Sequence, residues 1–184
     1  MNTRKTIRLK NYDYGQNGAY FITICVQNRL PILAEISDLP VGASIARPCS
    51  SIANMAGEQC SPLRTVEAKL SELGHMVDEA IQSISAHYPS VTVEKYVIMP
   101  NHVHMLLRID NKNGRAMLAP TVSEIIRQMK GYVTKRCGKT VWQKSFYDHV
   151  IRTEQDYLDT WKYIDGNPAG WREDELYISN ERNK

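Results

Sequence analysis

The sequence predicts an α+β fold, a ferredoxin-like sandwich in which an antiparallel sheet of about four to five strands carries helices packed on it. Three observations predict it. Apolar segments follow one another in the order strand, helix, hairpin, helix, strand, helix, the order of a split βαβ fold. Residues 72–87 and 122–137 repeat their apolar side chains at helical spacing, whereas residues 19–27 and 96–108 form short apolar runs rich in β-branched and aromatic types. With 184 residues, 42% apolar and 23% charged, the chain has ordinary globular composition and is most simply one domain, 1–184.

Each element has its own warrant. Residues 1–18 are polar and basic and read as an arm leading into the fold. Residues 19–27 (Ala-Tyr-Phe-Ile-Thr-Ile-Cys-Val-Gln) read as a central strand, and residues 31–36 as a short extension of it. Residues 37–66 are dominated by Ser, Ala, Gly, Pro, Asn and Cys without periodicity, and are expected to be a surface insertion. Residues 66–70 fit strand or helix. Ser71 is a good N-cap for a helix over 72–87, whose apolar face is Leu73, Met76, Val77, Ala80, Ile81 and Ile84, and which Pro89 ends. Strands over 91–99 and 102–109 meet at Pro100-Asn101, a break short enough for a tight hairpin. After a loop at 110–119, Thr121 and Glu124 have the form of a capping box for a second helix ending before Gly138. Residues 139–144 form a basic loop around Trp142, residues 145–151 read as a strand, and Thr153 opens a third helix that runs to about Gly166 or Asn167 before Pro168.

Several classes are set aside. No apolar run is long enough to span a membrane. The basic residues 1–10 lack a following apolar region, so no signal peptide is expected and the chain is placed in the cytoplasm. Cys25, Cys49, Cys60 and Cys137 are scattered, form no CxxC pair, and read as reduced thiols. Net charge is only +3, but Arg4, Lys5 and Arg8 lie among the first ten residues, which contain no acid. Arg127, Lys130, Lys135, Arg136, Lys139 and Lys144 lie in an acid-free stretch over 125–147. Such blocks attract phosphate backbones, and Trp142 among them could stack on an unpaired base. A solvated helix face and a buried Trp explain the same residues.

Two places carry chemistry. His102 and His104 are two apart on a strand and so share a face, where two imidazoles can converge on one divalent cation. The opposite face, Val103, Met105 and Leu107, is ordinary core. An isolated His-x-His also occurs in plain core or surface strands. In the third helix Tyr157, Leu158, Trp161 and Ile164 form the expected buried stripe, whereas Tyr163 lies off it and shares a face with Asn167.

Met99-Pro-Asn-His-Val-His-Met-Leu-Leu, Trp142-Gln-Lys-Ser-Phe-Tyr-Asp-His-Val-Ile and Asp156-Tyr-x5-Tyr163-Ile-x-x-Asn167-Pro together resemble the single-tyrosine HUH transposases, most closely the REP-associated tyrosine transposase branch. The resemblance covers residues 10–36 and 66–171, and three motifs in the right order make it specific. It implies that His102 and His104 hold a divalent metal, Mg²⁺ or Mn²⁺, and that Asn167 stands where related enzymes have Gln and supplies a third ligand oxygen. It implies that Tyr163 is the nucleophile and that the substrate is single-stranded DNA, often near a hairpin, with a 5′-phosphotyrosine intermediate. Relatives include monomers and homodimers. Residues 37–66 have no counterpart in the minimal pattern. Two other classes stay open: a non-catalytic single-stranded nucleic-acid-binding module, which predicts exposed aromatics on the sheet face, and a hydrolytic metal nuclease using water as nucleophile.

Overall fold

The computed structural model describes residues 12–38, 66–111 and 120–177. Four strands form the main sheet: β1 (Gly18–Cys25), β4 (Val91–Ile98), β5 (His102–Ile109) and β6 (Tyr147–Ile151). They lie in the order β4-β5-β1-β6, every neighbouring pair antiparallel. Placing β1 between β5 and β6 is what the ferredoxin-like topology requires. A separate two-stranded ribbon pairs β2 (Ala34–Asp38) with β3 (Val66–Leu70). The ribbon thus closes the ends of the expected insertion against each other and resolves the ambiguous 66–70 segment as strand. The rest of that insertion, 39–65, lies outside the described residues.

The helices divide between the two faces of the sheet. Helices α1 (Glu72–Gln82), α2 (Ile84–His87) and α3 (Val122–Cys137) bury Val77, Ile81, Ile84, Ile125, Ile126 and Val133 against one face. That face presents Tyr20, Ile22 and Ile24 from β1 and Val103, Met105 and Leu107 from β5, and together they form the main core. Helix α4 (Glu154–Gly166) lies on the other face, where Ile164 packs with Ala19 and Leu106 and is flanked by Phe21, Tyr157 and Trp161. Period-two alternation explains the split, since neighbouring residues of a strand point to opposite faces.

Local chemistry sets the helix ends. Ser71 Oγ accepts from the Gly74 amide, and Thr121 Oγ1 from the Glu124 amide. Gly138 closes α3 in the left-handed region at φ 70°, where a residue without Cβ is favoured. The segment expected as one helix over 72–87 is divided in two at Ser83, which keeps right-handed backbone angles (φ −72°, ψ −14°) while its hydroxyl donates to the Ala80 carbonyl. On α4, Leu158 is 44% exposed, which corrects its place in the predicted stripe. The inward positions are 157, 160, 161 and 164; Leu158 sits about 100° around from Tyr157 and turns to water.

Gly74 marks a close approach between α1 and the chain at Leu33. A Cβ built there would stand 2.1 Å from the Leu33 carbonyl oxygen, which already accepts from the Ser71 amide. Gly74→Ala is expected to cost about 1–3 kcal/mol, readable as a lower denaturation midpoint. Gly131→Ala, at an open position on α3, should not lower it.

Candidate active site

The site is built around the β4–β5 hairpin. The Met99 amide donates to the His102 carbonyl across Pro100 and Asn101, closing the turn. The turn is itself buried, and its carbonyls are used: Pro100 accepts from the Leu33 amide and Asn101 from the Val26 amide. Strand β5 then pairs His102 with Cys25 and His104 with Thr23 of β1. Both imidazoles point to the α4 face and are 0% and 3% exposed.

Hydrogen bonds decide which ring nitrogens carry protons. Asn101 Nδ2 donates to the Leu176 carbonyl, so Asn101 Oδ1 faces His102 Nδ1 at 2.8 Å and must accept from it. The neutral His102 ring therefore presents a bare lone pair at Nε2. His104 Nδ1 lies 2.9 Å from Thr23 Oγ1, a hydroxyl that can donate or accept and so serves either tautomer. The two Nε2 atoms are 3.0 Å apart. Without a cation, His104 Nε2–H donates to His102. With the other tautomer, both lone pairs converge on one point. Burial holds both rings neutral, with pKa values pushed down to about 3; the Arg29 charge adds to this at His102, and His102 itself at His104.

Helix α4 brings the phenol. Lys95 of β4 pairs with Asp165 at 2.5 Å and its ammonium lies 4.6 Å from the Trp161 ring centre, while the Arg108 guanidinium lies 5.5 Å from that of Tyr157. At the other end, Thr153 Oγ1 caps the Asp156 amide, and the Asp156 carboxylate accepts from His149 Nε2 of β6 at 3.0 Å. So held, α4 sets the Tyr163 hydroxyl 3.4 Å from His104 Nε2. Phe21 stacks on His104 at 5.2 Å and meets Tyr163 edge-on at 5.8 Å. Tyr163 is 49% exposed. Its hydroxyl pKa is raised, first by partial burial and then by the Asp174 carboxylate, with Asn167 opposing.

The segment after α4 supplies oxygen donors. Trp171, in a short 3-10 turn (Trp171–Glu173), is buried with its ring 5.9 Å from that of His102. The turn swings Asp174 back over the histidines, so that one ligand atom each from His102, His104 and Asp174 lie within 4.8 Å of one another. Asn167 Nδ2 donates to Asp174 Oδ2 at 3.2 Å, and Asn167 Oδ1 is buried without a hydrogen-bond partner among the described residues. Two converging imidazole lone pairs, a carboxylate and an orphaned amide oxygen fit a divalent cation. Ligands at right angles at about 2.1 Å would be separated by about 3 Å, as the two Nε2 atoms are.

Sequence reasoning missed Asp174, Asn101 and Thr23. Asp174 sits in the acidic run 173–175, which reads as solvated surface, and nothing in its spacing from the histidines marks it as a ligand.

The expected nucleic-acid contacts are scattered. Arg4, Lys5 and Arg8 lie outside the described residues. Helix α3 packs on the sheet face opposite the histidines. Arg127 pairs with Glu124, and Arg136 with Glu79. Lys130 is turned inward, donating to the carbonyls of Gln143 and Ser145, and burial lowers its pKa to about 8. Trp142 is only 5% exposed and sits in the main core, which corrects its expected stacking role because no ring face is open to a base. Lys135, Lys139 and Lys144 are exposed. The loop carrying Lys139 and Lys144 joins the sheet at the end where His102 pairs with Cys25, through Gln143 N–H to the Cys25 carbonyl.

Residues 67–167 match the family model described as "Transposase IS200 like". An uncharacterized protein of Haemophilus influenzae is 30% identical over 95% of this chain and 93% of its own length. The REP-associated tyrosine transposase of Escherichia coli is 29% identical over 52% of this chain and 56% of its own length. A solved REP-associated tyrosine transposase bound to a REP hairpin superposes with a TM-score of 0.57 at 20% identity, over 89% of this chain and 73% of that one, which shows the shared fold.

Burial of the imidazoles has a consequence for stability. An unfolded His binds protons below about pH 6.5, whereas these rings resist protonation to about pH 3. Their contribution is full above pH 6.5 and is lost as pH falls toward 3, since the unfolded chain then binds more protons. Melting temperature measured in EDTA should therefore fall across that window, and fall less steeply in His102→Gln and His104→Gln.

Proposed function

The chain belongs to the IS200-like transposase family, and from that premise we propose that it nicks and rejoins single-stranded DNA, with Tyr163 as the nucleophile. The observation that carries this reading is the 3.4 Å approach of the Tyr163 hydroxyl to His104 Nε2, beside a second imidazole whose lone pair points to the same place. His102, His104, Asn167 and Asp174 would hold a divalent cation, Mg²⁺ or Mn²⁺. The chemistry such an ion supplies is charge neutralisation on a phosphate oxygen. The chain's own residues do the rest. Asn101 and Thr23 orient the imidazoles. Phe21 and His104 hold the Tyr163 ring from the side, and about half of the residue stays open to solvent.

Attack by the Tyr163 oxygen on phosphorus expels the 3′-hydroxyl and forms a 5′-phosphotyrosine bond. The phenolic proton passes to the water that the half-exposed ring meets. A phenol ordinarily keeps its proton up to about pH 10, so the rate is predicted to rise with pH through the neutral range. Attack by another 3′-hydroxyl on the same phosphorus reverses the step and joins a new strand. The superposed transposase is bound to a REP hairpin, and the E. coli relative is likewise a REP-associated transposase. Both support a hairpin with a single-stranded flank as the substrate of this chain.

The test incubates end-labelled DNA hairpins bearing single-stranded flanks with the protein and Mn²⁺, followed by a denaturing gel. A covalent protein–DNA band is expected, absent in Tyr163→Phe and retained in Tyr157→Phe. Asp174→Asn should raise the Mn²⁺ concentration needed by on the order of 10–100-fold. Cleavage that persists in Tyr163→Phe would make water the nucleophile. Binding without cleavage or metal dependence would make the protein a binding module.

A further inference from the structure

Tyr163 lines two grooves of different character. One, of about 450 Å³, is bordered by Lys162, Asn167, Glu173, Asp174 and Glu175 and is largely acidic. The other, of about 420 Å³, lies between β1, β6 and α4 and is lined by Phe21, Tyr147, His149, Asp159, Thr160 and Tyr163. Both volumes fall in the range of about 300–1000 Å³ typical of small-molecule sites. We propose that the second groove is a stacking subsite for one unpaired nucleobase of the strand whose phosphate Tyr163 attacks. The proposal rests on the reading of Tyr163 as nucleophile.

Register places the rings. Strand β6 pairs Tyr147 with Thr23 and His149 with Phe21 of β1, so Tyr147 and Phe21 are diagonal neighbours on the α4 face of the sheet. Tyr147 is 53% exposed at the sheet edge, a large aromatic surface left half open by the described residues. Phe21 is half-buried, stacked on His104 and in edge contact with Tyr163. Tyr147 at the sheet edge and Phe21 against Tyr163 thus line one groove that reaches the reacting residue. A base resting on it belongs to a nucleotide adjoining the scissile phosphate.

Charge selects a base over a phosphate. No Lys or Arg is among the six lining residues. His149 is held by the Asp156 carboxylate, and Asp159 adds another negative group on the α4 wall, with one oxygen bonded to Gln155 Nε2. Phosphate would be repelled there. A flat neutral ring is not, and every base has a face for stacking.

The experiment uses the full chain in EDTA with short single-stranded oligonucleotides carrying iododeoxyuridine, irradiated and mapped by peptide mass spectrometry. Crosslinks are expected at Tyr147 or Phe21. Tyr147→Ala should lose the groove crosslink and weaken single-strand affinity about tenfold, and Tyr147→Phe should restore affinity, because the π-face is retained. Circular dichroism checks that this edge-strand substitution leaves the fold intact. Wild-type affinity in Tyr147→Ala, or crosslinks confined to other surfaces, would overturn the proposal. A protein that forms the Tyr163 adduct but crosslinks elsewhere defeats the groove alone. One that crosslinks at Tyr147 yet forms no adduct defeats the nucleophile reading and leaves the groove as a base site.

Discussion

A backbone carbonyl can only accept a hydrogen bond, so the Asn101 carboxamide must turn its nitrogen toward Leu176 and its oxygen toward His102. Three consequences come from this one side chain. The proton of His102 is fixed on Nδ1, which leaves Nε2 bare toward His104. The hairpin turn is tied to the segment after α4, which brings Asp174 over the two rings. Trp171 is drawn down beside His102 and shields the imidazoles from water. Loss of the Asn101 amide would leave buried polar groups unpaired and release both ends of the site together.

The sheet separates stability from chemistry. On one face β1 and β5 bury Ile22, Ile24, Val103, Met105 and Leu107 under α1 and α3, and this apolar layer holds the strands in register. On the other, the same two strands present Phe21, Thr23, His102 and His104 to α4. Because alternate residues face opposite ways, the core can be packed tightly without reaching into the site, and a one-residue slip of β5 would exchange the two sets. Helix α4 docks through a small apolar cluster around Ile164 and is tied at its rims by Lys95, Arg108 and the His149–Asp156 pair. A helix with few buried apolar residues can therefore keep Tyr163 at the surface and still position it.

Much of this was legible in the residues. Alternation in β5 marks one face as apolar and the other as His102 and His104, and the spacing of Tyr163 and Asn167 puts both on one side of α4. What the residues could not show arises from contacts distant in sequence. Asp174 meets the histidines only because the chain turns back at Trp171, and its acidic neighbours disguise it as surface. Leu158 reads as buried by type, but the direction from which the sheet approaches α4 puts it in water. Trp142 among lysines looks like a base-stacking residue until the bridge between Val26 and Trp142 draws it into the core. The basic residues of α3 form a block in sequence, yet Glu79 and Glu124, from elsewhere in the chain or one turn away, pair two of them.

The chemistry of the site turns on whether the two Nε2 lone pairs share one cation beside Tyr163. Pulsed electron paramagnetic resonance of the Mn²⁺-loaded protein reads this without any DNA present. Nitrogen couplings from two imidazoles are expected, reduced to one in either His102→Gln or His104→Gln. Bound Mn²⁺ with no directly coordinated nitrogen, or couplings unchanged by both substitutions, would contradict a shared cation.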